Sequence, residues 1–166
     1  MRTFIFAVLA CLAVAIPQTN AHAQSKPDDT VALKDVNTGK AVWDISMANP
    51  EILAINLAVV RETYDDLVRQ NVNPDIVLAI HGVPVRYVRK DVSDLPFEDM
   101  VHIDKINEIL DELKALPGVR IEVCSVANRL MGVDNTTIRD GLHVVGNTWV
   151  SLIGYQAQGY AIIPVP

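Results

Sequence analysis

Residues 76–80 read Ile76-Val77-Leu78-Ala79-Ile80, an apolar run in which no polar side chain alternates with the apolar ones. Such a run is typical of a parallel strand that helices cover on both faces. His81-Gly82 follows it directly and marks its end. This segment therefore predicts an α/β fold whose parallel sheet contains residues 76–80.

The segment before this strand predicts a long helix. Asn49 as N-cap, Pro50 at the first helical position and Glu51 in the first turn agree on its start. Its apolar residues recur at spacings of three and four, which places them on one helix face that reaches about Gln70. These residues are Leu53, Leu57, Val60, Tyr64 and Leu67.

The remaining chain continues the alternation of strands and helices. Val42 and Trp43 begin a strand before the first helix, and Pro117-Gly118 closes a second helix. The later predicted elements are a strand at 119–124, a short helix at 125–130, a strand at 142–145, a helix from Asn147 or Thr148 to about Gln158, and a strand at 160–165. The order βαβαβαβαβ favours a parallel sheet with helices on both faces.

The strand at 119–124 differs from the strand at 76–80 because its side chains alternate. Arg120 and Glu122 lie on one side of it. We expect that side to be partly exposed to water or to carry paired side chains.

Composition excludes some classes of function. The chain has 166 residues with 14 Lys and Arg against 20 Asp and Glu, a formal charge of −6. A broad basic surface that binds nucleic acid through its phosphates is therefore not expected. The length suits one folded domain.

The first 23 residues have the pattern of a secretory signal peptide. Arg2 is a positive n-region, residues 4–16 are an uninterrupted apolar run, and Ala21-His22-Ala23 is a small-x-small cleavage site. The apolar run is too short to span a membrane, which takes roughly 20 residues. We expect cleavage after Ala23 and an exported protein, periplasmic in a Gram-negative source.

The expected organisation after cleavage is simple. Residues 24–39 are interpreted as a polar, flexible leader and residues 40–166 as one α/β domain, with no second membrane-spanning candidate. A lipid anchor on Cys11 is the less favoured alternative, because Leu9 fits the position two residues before the lipidated cysteine poorly.

Two residues of chemical interest lie at the ends of two predicted strands that follow one another along the chain. His81 follows the strand at 76–80, and Cys124 ends the strand at 119–124 with Ser125 opening a helix. Ligands of parallel sheets bind at the carboxyl ends of the strands. A thiol at a helix start has its thiolate stabilised by backbone N–H groups, which lowers its pKa from about 8.5. Cys124 is therefore a candidate nucleophile.

Alternative interpretations of these residues are open at this point. Cys124 can be a small buried apolar residue, and His81 can serve as a loop-capping hydrogen bonder before Gly82. Arg129, one helical turn beyond Cys124, can face an anion or lie on the rim. His102 and His143 have no metal-ligand spacing, so no metal site is expected.

Several cofactor and catalytic motifs are absent from the sequence. There is no C-x-x-C pair, no G-x-x-x-x-G-K or G-x-G-x-x-G phosphate loop, and no G-x-S-x-G nucleophile elbow. We therefore expect no nucleotide cofactor and no thioredoxin-type dithiol.

Three stretches resemble the DsrE/DsrF-like family, in particular its exported and uncharacterised branch. They are the cysteine segment at 121–132, the segment at 76–83 with His81-Gly82, and the ending at 152–161, in the same order. The resemblance covers roughly residues 40–165.

The resemblance implies a three-layer α/β/α domain with a five-stranded parallel sheet, in which the second and third strands are neighbours. It also implies homo-oligomers, commonly trimers or hexamers. Related proteins of sulfur relays carry sulfur as a persulfide on the cysteine that Cys124 matches.

The leading hypothesis is a periplasmic, sulfurtransferase-like carrier of sulfane sulfur. Cys124 would take sulfur from a small donor, and His81 would assist proton transfer. Ser125, Arg129 and Gly82 would contribute to ligand binding. The second hypothesis is a non-enzymatic, oligomeric small-ligand-binding or assembly module with an inert Cys124. A hydrolase using His81 and a carboxylate is a third.

Assembly into oligomers is also expected from the residues themselves. Large apolar groups cluster on the last predicted helix and strand, more than a small monomer easily buries. They are Trp149, Tyr155, Tyr160, Ile162 and Ile163.

Overall fold

A computed structural model of the chain describes residues 25–166, in which five strands form one all-parallel sheet. The strands are β1 (Thr38–Ile45), β2 (Asn73–Ile80), β3 (Val119–Cys124), β4 (His143–Val145) and β5 (Ala161–Val165). The helices are α1 (Pro50–Arg69), α2 (Met100–Lys114), α3 (Ser125–Leu130) and α4 (Thr148–Ala157). The strands lie in the order β4-β3-β2-β1-β5, so β2 is central and β3 is its neighbour.

The sheet separates two apolar layers. On one face, α1 and α2 cover a large core that includes Leu57, Ile106 and the strand residue Leu78. On the other face, α4 covers a smaller cluster of Val42, Val77, Ala79, Leu152 and Tyr160. Because successive strand residues point to opposite faces, β2 contributes to both layers. The expected three-layer α/β/α fold is confirmed.

The first helix begins and ends where the sequence predicts. The side chain of Asn49 accepts a hydrogen bond from the Ile52 backbone N–H at 3.0 Å, and Pro50 occupies the first turn. After Arg69 the chain turns at Asn71, which has a positive φ of 62°. A side-chain amide makes Asn one of the few residues that adopt this conformation readily.

Several strand bounds differ from the predicted ones. β1 starts at Thr38 instead of Val42, and β2 starts at Asn73 instead of Ile76. The two early segments pair with each other, Thr38 opposite Asn73, so each is a strand because of its partner and not because of its own apolar pattern. β4 and β5 each start one residue later than predicted.

Part of the expected leader lies against α1. Lys26 forms ion pairs with Glu62 and Asp66, and Arg69 pairs with Asp28. The predicted signal peptide, its cleavage after Ala23 and Cys11 lie outside the described residues. Within residues 25–166, no helix has the length and apolar character that crossing a membrane requires.

Candidate functional site

A cavity of about 260 Å³ lies at the carboxyl ends of β2 and β3. The starts of α3 and α4 form its other walls, as parallel α/β sheets commonly arrange their ligand sites. It is lined by His81, Gly82, Cys124, Val126, Ala127, Leu130, Met131, Asn147, Thr148 and Trp149. The structure thus brings three predicted site residues, Cys124, His81 and Gly82, to one cavity.

Cys124 occupies the junction between a strand and two helices. It ends β3 and is the N-cap of α3, and its Sγ accepts hydrogen bonds from the backbone N–H groups of Ala127 and Thr148, each at 3.5 Å. Thr148 is the first residue of α4, so both helices direct a backbone donor at the sulfur. The residue is only 4% exposed, and it lines the cavity.

The surroundings of Cys124 favour its thiolate. Burial raises the pKa of the thiol, but the N–H groups of Thr148 and Ala127 stabilise the anion more strongly, so the pKa lies below its usual value. The Thr148 hydroxyl acts in the same direction, although it forms no hydrogen bond of ordinary geometry. It is fully buried and has no other partner within residues 25–166.

His81 is held by a carboxylate that the sequence analysis missed. Its Nε2 lies 2.7 Å from Oδ1 of Asp44, near the end of β1, and its ring meets Trp149 edge-on at 6.3 Å. Asp44 stands between the apolar residues Trp43 and Ile45 at the carboxyl end of a strand. An isolated carboxylate at such a position is the signal that could have identified it.

Gly82 forms the turn that takes the chain from β2 to the cavity wall. Its backbone has φ 64° and ψ −145°, a conformation that residues with a Cβ rarely adopt. The turn leads directly into a short 3₁₀ helix over Val83–Arg86. The glycine therefore permits the chain direction that places His81 on the cavity.

Ser125 and Arg129 do not line the cavity. The Ser125 hydroxyl instead accepts a hydrogen bond from Asn135 at 2.9 Å, and Asn135 in turn accepts one from the buried Asn128 at 2.9 Å. This network links α3 to Asn135 in the segment that follows it. Arg129 is exposed on the outside of the same short helix. The ligand-binding roles expected for these two residues have no support in their positions.

The cavity wall also contains apolar residues that the sequence analysis did not assign to the site. Val126, Leu130 and Met131 come from α3 and its end, and Trp149 comes from α4. Leu130 and Trp149 are exposed at the surface, so they frame the entrance side of the cavity. Among residues 25–166, no three His, Cys, Asp or Glu side chains lie close enough to hold a metal ion.

Comparison with known proteins supports the fold. No family model matches the chain. An uncharacterised protein of Aquifex aeolicus (strain VF5) is 24% identical over 125 residues, which are 75% of this chain and 55% of that protein. The chain thus spans about half the length of this relative. A solved structure of a protein of unknown function from Methanobacterium thermoautotrophicum aligns with a TM-score of 0.61 and 21% identity, covering 76% of this chain and 99% of that one. The chain therefore has a three-layer α/β/α fold that a solved structure shares.

Proposed function

We propose that this protein carries sulfane sulfur as a persulfide on Cys124. The observation that supports the proposal is a thiol that lines a cavity while two backbone N–H groups, from Ala127 and Thr148, are directed at its sulfur. Thiolate is the nucleophilic form of cysteine, and these donors stabilise it. The resemblance of the segments around His81 and Cys124 to the DsrE/DsrF-like family points to the same chemistry.

The proposed loading step is a substitution at sulfur. The Cys124 thiolate attacks the outer sulfur of thiosulfate, a new S–S bond forms, and the S–S bond of the donor breaks. Sulfite leaves with the electron pair of that bond, and Cys124 becomes a persulfide anion. The step transfers one sulfur atom without a net proton change and without an external oxidant. A polysulfide would react in the same way, and its remaining chain, with one sulfur atom fewer, would be the leaving group.

The cavity suits a small donor and a persulfide product. Its volume of about 260 Å³ is at the small end for ligand sites, which typically begin near 300 Å³. The apolar side chains of Val126, Leu130 and Met131 line the same cavity, and Cys124 itself is only 4% exposed, which limits the access of water and oxidants to its sulfur. His81 lies on the cavity wall, and as an imidazolium it would donate a hydrogen bond from Nδ1 to the departing sulfite while Nε2 donates to Asp44.

The location and assembly of the protein belong to the same proposal. We infer export to the periplasm from the N-terminal pattern that ends at Ala23. We also infer an oligomer, because Trp149, Val150 and Ile153 expose 64%, 64% and 70% of their surface on α4. The resemblance to the DsrE/DsrF-like family implies that this oligomer is a trimer or hexamer. N-terminal sequencing of the protein from a periplasmic extract checks the first inference, and a chain that begins at Met1 would contradict it.

One observation favours the second candidate function, an oligomeric binding module with an inert thiol. Cys124 is only 4% exposed, as structural cysteines commonly are. The two candidates predict opposite rates of thiol labelling in the folded protein. Rapid labelling by a small alkylating agent supports the carrier, and labelling only upon unfolding supports the inert module.

Mass spectrometry after incubation with thiosulfate or polysulfide tests the carrier proposal directly. We expect a gain of about 32 Da, one sulfur atom, on the peptide that contains Cys124. The adduct should disappear with dithiothreitol and should be absent from Cys124→Ser. Peptide mapping separates it from any adduct on Cys11. If Cys124 gains no sulfur under conditions that load a known persulfide carrier, the proposal is wrong.

A further inference from the structure

The cavity that contains Cys124 has mainly apolar walls. Its large apolar side chains are Val126, Leu130, Met131 and Trp149. Its polar side chains, apart from the thiol, are His81, Asn147 and Thr148. No Lys or Arg lines it in the part of the chain that the structure describes. Sites of this composition bind molecules with substantial apolar surface, which a few polar groups orient.

Three of the apolar side chains are exposed at the entrance of the cavity. Leu130 is 65% exposed, Trp149 is 64% exposed and Met131 is 37% exposed. Exposed apolar side chains that lie together commonly mark a surface that another molecule covers. Leu130 and Met131 belong to α3 and its end, so this apolar surface extends beyond the α4 face from which we infer assembly.

The charges next to the sulfur favour a donor with little negative charge. The Asp44 carboxylate lies 2.7 Å from the His81 ring, and Cys124 reacts as a thiolate. Even when His81 is an imidazolium, one positive charge then faces two negative ones. Thiosulfate brings two further negative charges, and like charges repel strongly where the dielectric constant is low. A donor with a single charge and an apolar group meets less repulsion and gains apolar contact.

We propose that the Cys124 cavity selects small organic sulfane donors, in which an apolar group lies next to the transferable sulfur. This inference rests on the persulfide proposal and adds the class of donor. Leu130, Met131 and Trp149 contact the apolar group while the sulfane sulfur meets Cys124. A cavity of about 150 Å³ holds a benzene molecule. The volume of about 260 Å³ therefore has room for one aromatic ring and its sulfur-containing substituent.

The transfer from a thiosulfonate, R–SO₂–S⁻, illustrates the step for this class. The Cys124 thiolate attacks the outer sulfur of the donor, a new S–S bond forms, and the S–S bond of the donor breaks. The sulfinate R–SO₂⁻ leaves with the electron pair of that bond, and Cys124 becomes a persulfide anion. The step needs no proton and no external oxidant, and R remains on the leaving group.

The loading rates of two thiosulfonates test the selection. Benzenethiosulfonate and methanethiosulfonate have the same charge and the same sulfane sulfur, but only the first has a large apolar group. Mass spectrometry of the Cys124 peptide over time gives the second-order rate constant for each donor with the full chain. Free cysteine gives the ratio of rate constants that intrinsic reactivity alone produces. We expect the protein to prefer benzenethiosulfonate roughly tenfold more than free cysteine does.

One substitution and a matched control locate the selection. Leu130→Ser removes an apolar side chain from the entrance and should lower the preference for benzenethiosulfonate roughly threefold. Val101→Ser makes a similar change at a 68% exposed position of α2 that does not line the cavity, and it should keep the preference. Circular dichroism confirms that both variants are folded.

The contrary results separate this inference from the persulfide proposal. If neither thiosulfonate loads Cys124, both are wrong. If both donors load it with the ratio of rate constants that free cysteine gives, Cys124 carries sulfur but the cavity does not select organic donors. If Leu130→Ser slows both donors by the same factor, or changes neither rate, the entrance does not contact the apolar group and the inference is wrong.

Discussion

Nε2 of His81 lies 2.7 Å from Oδ1 of Asp44, a contact that joins the carboxyl ends of the neighbouring strands β2 and β1. A carboxylate bound to one ring nitrogen orients the imidazole and leaves Nδ1 for a second partner. Asp44 is therefore a positioning residue, and His81 is the group that faces the cavity.

The first prediction concerns this pair. His81→Gln should slow persulfide loading of Cys124 roughly ten- to a hundredfold, because one hydrogen bond to a charged leaving group is worth about 1.5–3 kcal/mol. Asp44→Asn should slow it less, because the imidazole remains but is less well oriented. The time course of persulfide formation gives the rate constant of loading for each protein and checks both expectations. Equal rate constants in all three proteins would show that His81 takes no part.

The second prediction concerns the ionisation of Cys124. Because the backbone donors of Thr148 and Ala127 outweigh burial and lower its pKa, the midpoint of alkylation rate against pH should fall below the midpoint of the same thiol in the unfolded chain. Thr148→Val removes the hydroxyl and keeps the backbone donor, so the midpoint should rise. The variant should be at least as stable, since that buried hydroxyl has no partner of ordinary geometry.

The same pKa shift has a consequence for stability. A thiol whose pKa is lowered by folding adds stability above the pKa of the unfolded chain, and this contribution disappears as the pH falls through the folded pKa. The stability difference between the unaltered protein and Cys124→Ser should therefore grow with rising pH through the neutral to mildly alkaline range. Urea denaturation at several pH values measures it, and a difference that falls with pH would contradict the lowered pKa.

The third prediction concerns the start of α1. Asn49→Ala removes the acceptor for the Ile52 N–H and should lower the free energy of unfolding by about 1 kcal/mol. Asn49→Ser keeps a capping oxygen and should cost only a fraction of that. Chemical denaturation of both variants gives the comparison; equal losses would mean that the cap contributes nothing specific.

The fourth prediction concerns the central strand. Leu78 is fully buried in β2, so Leu78→Ala should cost about 2–5 kcal/mol of stability. Ile55→Ala is the matched control, because Ile55 is 59% exposed on α1, and it should change stability by less than about 0.5 kcal/mol. The midpoints of chemical denaturation distinguish the two results, provided that the free energy of unfolding depends equally on denaturant concentration in both variants.

The fifth prediction concerns assembly. The mass of one chain is 18.2 kDa, and light scattering should give three or six times the mass of the purified chain. Ile153→Lys places a charge on the exposed apolar face of α4 and should shift the protein to a smaller species, whereas Val101→Lys, at a 68% exposed position of α2 on the other side of the sheet, should not. A monomer in the unaltered protein would refute the predicted oligomer.

Local signals in the sequence predict the parts of this fold that local physics determines. β3 and α3 have the predicted bounds, because Pro117-Gly118 ends one element and Cys124-Ser125 separates the next two. The placement of Cys124 and His81 on one cavity follows from strand ends that meet at one edge of the sheet. Where pairing with a neighbouring strand determines the start of a strand, as in β1, the local apolar pattern does not predict that start.

Side-chain partners that are distant in sequence could not be predicted. Asp44 contacts His81 across 37 residues, and Tyr155 contacts Glu122 across 33. Neither pair has a spacing rule, because the strand order brings them together. Proximity to Cys124 predicts a ligand contact for Ser125, but its hydroxyl accepts a hydrogen bond from Asn135 instead.

The strand order also determines which surfaces remain available to other molecules. An open sheet edge exposes unpaired backbone groups that can recruit a strand from another chain and start aggregation. Here one edge strand, β4, has three residues, and the other, β5, contains Pro164, which has no N–H to donate. Both borders of the sheet are thus poor templates for uncontrolled strand addition, so we expect the proposed oligomer to form through side-chain contacts on α4.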